Sequence, residues 1–129
     1  MGKLPKPMEG TVFYQDDKVY ACLAFEPKIE GHTIIAWKQT HFEDLSYLPS
    51  EDYIYLMRIV NKVRNALMQF YEAPKVYVAY LDETCDVHFH LFPRKRDAQI
   101  KGFELMALKS SPITDLSAVK ELAALCGKG

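Results

Sequence analysis

The chain alternates between two rhythms. Runs with a period of two, Thr11–Tyr14, Val19–Phe25, His32–Lys38, Lys75–Leu81 and Asp86–Arg94, are rich in β-branched and aromatic residues and predict five strands. Polar turns separate them: Gln15–Lys18 closes a first hairpin, Glu26-Pro27-Lys28 breaks the second strand because proline withholds a ladder donor, and Leu81–Cys85 joins the last two strands as a second hairpin. Between the third and fourth strands the period lengthens. Tyr53, Leu56, Met57, Val60, Val63, Leu67 and Phe70 recur at three and four, opposite Glu51, Arg58, Lys62, Arg64 and Asn65, so a helix of about 21 residues runs from an N-cap at Ser50 to a stop at Ala73-Pro74. Gly102–Leu108 reads as an apolar segment or short strand. Leu116, Val119, Leu122 and Leu125 predict a C-terminal helix stopped by Gly127.

The order β-β-β-α-β-β with a trailing helix predicts an α+β fold: an antiparallel five-stranded sheet with one long helix packed on it and a C-terminal helix. Residues 1–9, with two prolines and two lysines, read as a flexible arm, and 10–129 as a single domain. At 129 residues the chain is long enough to bury roughly two-thirds of its unfolded surface. A net charge of −1 gives no electrostatic case for a nucleic-acid polymer or a membrane surface as partner. No apolar run approaches membrane-spanning length, and the N-terminus lacks a signal core, so the expected location is the cytoplasm. Cys22, Cys85 and Cys126 form no Cys-x-x-Cys pair, and reduced thiols are expected.

The candidate chemistry lies in Asp86-Val87-His88-Phe89-His90-Leu91-Phe92-Pro93-Arg94. Strand alternation would place Asp86, His88 and His90 in a row on one face, with Val87, Phe89 and Leu91 turned into the core. Two imidazoles and a carboxylate at that spacing suit either a histidine nucleophile with its supporting groups or a metal site using Asp86, His88 and His90. The basic run Arg94–Arg96 reads as a solvated loop.

This stretch resembles the signature of the histidine triad (HIT) superfamily, His-φ-His-φ-His-φ-φ with φ apolar, with Asp86 where the family has its first histidine. The likeness extends upstream to Gly31-His32-Thr33-Ile34-Ile35 and to Lys38-Gln39-Thr40-His41, covering residues 10 to 105 in the family's order. What the resemblance implies is a hydrolase or nucleotidyl transferase acting at the α-phosphate of a purine nucleotide or nucleotide conjugate. His88 would be the nucleophile, His90 a donor to a phosphate oxygen, and His41 a further group near the phosphates, with Asp86 beside them; no cofactor or metal is implied. His32, in the turn, reads as structural. Phe13 and Phe25 would stack the base. Ala24 stands where the family often holds the ribose with Asp or Asn, so Glu83 or Glu26 is the candidate acceptor. The resemblance also implies a homodimer. Two alternatives stand beside it: a catalytically impaired nucleotide-binding module, and the metal-dependent enzyme.

Overall fold

The computed structural model describes residues 4–81, 83–98, 102–108 and 110–127. Expectations that fall on residues 1–3, on Asp82 in the second hairpin's turn and on 128–129 lie outside the described residues.

Five strands form one antiparallel sheet: β1 (Val12–Gln15), β2 (Val19–Leu23), β3 (Thr33–Trp37), β4 (Lys75–Ala79) and β5 (His88–Arg94), in the spatial order β1-β2-β3-β5-β4. The expected α+β architecture is therefore present. The long helix α1 spans Ser50–Phe70, a single turn α2 spans Gly102–Leu105, and α3 spans Val119–Gly127. Alternation along the strands sorts side chains between two faces. Val19, Ala21 and Leu23, then Ile35 and Trp37, then Phe89 and Leu91 turn into one buried cluster with Leu56, Val60, Val63 and Leu67 of α1 and Leu122 and Cys126 of α3. Removing side chains of this size from water stabilises the fold by about 1.5–3 kcal/mol each. The opposite face carries Tyr20, Cys22, Ile34, Ala36, His88 and His90, with α2 set against Tyr77 towards its β4 side.

Several local expectations are corrected. The segment from Gly102 forms a helical turn, not a strand. Ser50 is the first residue of α1 and Pro49 its N-cap, without a side-chain cap bond; Glu51 and Asp52 favour the helix dipole instead. Tyr53 is exposed, whereas Ile59 and Ala66 join the buried stripe. Asp86 and Val87 precede β5, yet the alternation carries through them: Val87 joins Phe89 and Leu91 in the core, while Asp86 lies on the open face beside Tyr20 and Ala36. Pro93 lies in β5 beyond the end of its pairing with β3 at Leu91, opposite Val76 in the remaining ladder with β4.

Gly31 sets the turn into β3. Its φ of +88° lies in the left-handed region, and a Cβ there would stand 2.7 Å from Tyr71 Cε2 and 2.8 Å from Pro93 Cγ, so glycine is required both for conformation and for space. That turn fixes His32 at the edge of β3, opposite the histidine-bearing strand.

Candidate active site

His88 and His90 occupy alternate positions of β5, paired across the ladder with Ala36 and Ile34 of β3. Their ring centroids are 5.1 Å apart at 72°. Each ring is fixed from behind by a different kind of partner.

His88 is 5% exposed, and its Nδ1 lies 2.8 Å from the backbone oxygen of Asp86. A carbonyl only accepts, so Nδ1 donates, and in the neutral ring the lone pair is on Nε2. The carbonyl is itself held in place: the Thr84 hydroxyl donates to it at 3.0 Å and accepts the Asp86 N–H at 3.1 Å.

His90 is fixed through His32. The Lys28 N–H donates to His32 Nδ1 at 3.1 Å, which leaves the proton of a neutral His32 on Nε2, 3.0 Å from His90 Nδ1. His90 Nδ1 must then accept, and its own proton sits on Nε2. Both rings stay neutral at physiological pH. Burial, then the nearby His90 and Lys28, pushes His32 down to about 3; burial, then His88 and Lys28, pushes His90 down to about 4. Phe92 packs against His32 with ring centroids 4.3 Å apart. The site therefore presents a lone pair on one imidazole beside an N–H donor on the next.

Asp86 plays a different part from that of a third group in the row. Its carboxylate accepts the Leu4 N–H at 3.0 Å and thereby faces the N-terminal arm, while its carbonyl serves His88. The side chain lies on the open sheet face beside Tyr20 and Ala36, beyond His88. Among the described residues, no three His, Cys, Asp or Glu side chains are grouped so as to hold a metal ion, so the arrangement expected of an Asp86, His88, His90 metal centre is not assembled.

A cavity of about 460 Å³ opens beside His90 and His32. Its floor is the open sheet face, Tyr20, Cys22, Ala24 and Ile34; Phe25, Glu26 and Lys28 rim one side and Leu4–Met8 the other. Phe25, 49% exposed, lines it. Phe13 does not: strand alternation sends it into the core on the helix side, so the expected aromatic sandwich of Phe13 and Phe25 is not formed. Glu83 is exposed and does not line the cavity. His41, at φ +74°, is exposed; its backbone N–H donates to Cys85 O at 3.0 Å, tying it to the segment that leads to His88.

Sequence reasoning missed three contributors: Lys28, the arm and the relay role of His32. The Gly-His-Thr motif marked His32 without its partner, because that partner is a backbone N–H four residues away. The C-terminal segment completes the rim. Ile113 N–H donates to Phe25 O at 2.6 Å, and Lys28 Nζ to Leu108 O at 2.9 Å.

Similarities to known proteins follow this geometry. A family model of the HIT domain matches residues 6–97. No curated protein matches the chain. Among solved structures it is similar to a zinc-bound histidine triad family protein from Mycobacterium smegmatis, at 19% identity over 91% of this chain and 84% of that one with a TM-score of 0.73. It is similar to a HIT-like protein involved in cell-cycle regulation from Bartonella henselae, at 22% identity over 90% and 83% with a TM-score of 0.65. A third likeness is to the diadenosine triphosphate hydrolase of Plasmodium falciparum, at 17% identity over 98% and 80% with a TM-score of 0.70. At these identities the likeness is one of fold, whereas the family model spans most of the chain and takes in both the Gly-His-Thr turn and the histidine strand. The chain belongs to the HIT domain family.

Proposed function

We propose that this protein is a nucleotide hydrolase or nucleotidyl transferase acting at the α-phosphate through a covalent intermediate on His88. The observation that carries the reading is the 2.8 Å contact from His88 Nδ1 to the Asp86 carbonyl, which in the neutral ring leaves the lone pair on Nε2 for nucleophilic attack. In the first step Nε2 attacks the α-phosphorus, the bond from phosphorus to the leaving group breaks, and the leaving group departs with its electron pair. In the second, water attacks the same phosphorus, the P–N bond breaks with its electron pair returning to His88 Nε2, the proton shed by the water ends on the departed leaving group, and the mononucleotide leaves. His90, protonated on Nε2, donates to a phosphate oxygen as charge grows there. Because its ring is neutral, it acts as a hydrogen-bond donor without releasing the proton.

In this reading Asp86 stands at the family's first triad position, Phe25 offers a face to the base, and Ala24 leaves the ribose without a carboxylate partner. The substrate is a purine nucleotide ester, anhydride or phosphoramidate. The active species is a homodimer, as in the family, and the reaction uses no metal.

The test is rapid alkaline quenching during turnover of an adenosine phosphoramidate or diadenosine triphosphate. A mass increment of one AMP should appear on the peptide carrying His88, His88→Ala should lose activity by more than about 10³-fold, and exhaustive chelation should leave the wild-type rate unchanged. Loss of activity with chelator, its return with zinc or iron, and no adduct at any time would overturn the histidine-nucleophile mechanism. The zinc bound to the Mycobacterium smegmatis relative makes that arm of the test worthwhile.

A further inference from the structure

Resting on that reading, we infer that Asp86 is a positioning residue for substrate selection: its carboxylate latches the N-terminal arm across the open sheet face, and the latched arm forms the cavity wall that holds the base. The motif's departure from histidine at this position then has a physical purpose.

The arm is tied at both ends. At one, Leu4 N–H donates to the Asp86 carboxylate across 82 positions of sequence, and Asp86 is only 8% exposed. At the other, Met8 O accepts from both the Thr11 N–H at 3.1 Å and the Thr11 hydroxyl at 2.5 Å, and Thr11 is fully buried. Between these anchors, Pro5 and Pro7 restrict the backbone of two of the three intervening residues, which lowers the entropy lost on docking. A carboxylate suits the latch better than the family's imidazole would, because a backbone N–H bonded to an ionised acceptor makes the stronger bond.

Everything the arm adds to the cavity is apolar except Lys6. Leu4, Pro5, Pro7 and Met8 face Ile34 and His90 across a space of about 460 Å³, within the range of small-ligand pockets. Without the arm, His90 would lie on an open sheet with Phe25 as the nearest aromatic side chain of the rim. With it, a flat apolar group carried on a phosphate is enclosed, while Lys6 and Lys28 supply positive charge to an anionic ligand. The enclosure replaces, by apolar contact, some of the affinity that Ala24 cannot provide through ribose hydroxyls.

The experiment compares wild type, Asp86→Ala, Asp86→Asn, a deletion of residues 2–7, and the deletion combined with Asp86→Ala. AMP affinity is measured by calorimetry, KM and kcat with an adenosine phosphoramidate, and Leu4 amide exchange by NMR. Asp86→Ala and the deletion should each weaken AMP binding and raise KM about tenfold, with kcat changed by less than about threefold, and the combination should go no further than either alone. Asp86→Asn should keep most of the affinity, because its amide oxygen still accepts. Affinity for ribose 5-phosphate, which lacks a base, should not change. The inference is overturned if the deletion leaves AMP affinity unchanged or improves it, or if Asp86→Ala lowers kcat and shifts its pH profile while the deletion does neither. Leu4 exchange that is equally fast in wild type and Asp86→Ala overturns the latch, whereas a wild type that neither binds AMP nor turns over the phosphoramidate overturns the nucleotide reading instead.

Discussion

His32 shows how much a single proton's position decides. It is neutral chiefly because it is buried; since its Nδ1 accepts the Lys28 N–H, its proton lies on Nε2, which sets the tautomer of His90. The same fact has a cost in acid. Both pKa values are depressed in the folded protein, so the unfolded chain takes up protons first as pH falls, and the stability these groups contribute is complete above about 6.5 and is lost as pH falls towards the folded values of about 4 and about 3. At pH 5 each histidine should cost roughly 2 kcal/mol. Urea denaturation at pH 7.5 and 5.0 checks this: the drop should shrink in His32→Gln, and equal drops in the two proteins would mean that His32 is not buried neutral. Little of this could be seen in the sequence. Alternation put Asp86, His88 and His90 on the open face and Val87, Phe89 and Leu91 in the core, but it could not show that the Asp86 carboxylate takes the Leu4 N–H. It also gave no face to Phe13, because a strand's period says which residues share a side without saying which side meets the helices.

Among the elements, the long helix was the most legible, since a 3.6-residue pattern sustained over 21 residues admits few other readings. Its buried face proved wider than the stripe read from one side. Ile59 and Ala66 are covered as well, because α3 and the sheet both pack on α1. Val60→Asp should therefore destabilise by several kcal/mol through an unpaired buried carboxylate, and a melting temperature that does not move would refute the assignment of that face. A second test lies in the turn before β3. Gly31→Ala introduces both an unfavourable φ and a clash with Tyr71 and Pro93, and should cost about 1–3 kcal/mol; if thermal unfolding is unchanged, the turn has relaxed without loss. Gly102–Leu108 was misread because a short apolar run without clear periodicity does not distinguish a strand from a helical turn.

At the scale of the whole molecule, the five-stranded antiparallel sheet with the long helix on one face followed from the sequence, while the spatial order β1-β2-β3-β5-β4 and the use of the open face did not, the latter because it depends on an arm with no periodicity to read. Among the described residues β4 is the last strand of the sheet, and Val78 on it is 45% exposed. In the proposed homodimer, Val78→Lys should shift sedimentation from dimer to monomer, and a wild type that sediments as a monomer would remove the dimer from the reading. Cys22 lies on the cavity floor, close to fully covered, with burial pushing its thiol up to about 12. Cys126 is buried in the core, and only Cys85 is partly accessible. A thiol reagent at neutral pH should therefore modify one cysteine quickly and the other two on the timescale of opening. Since the arm lies over Cys22, alkylation there amounts to a built-in clock for how often the substrate wall swings away.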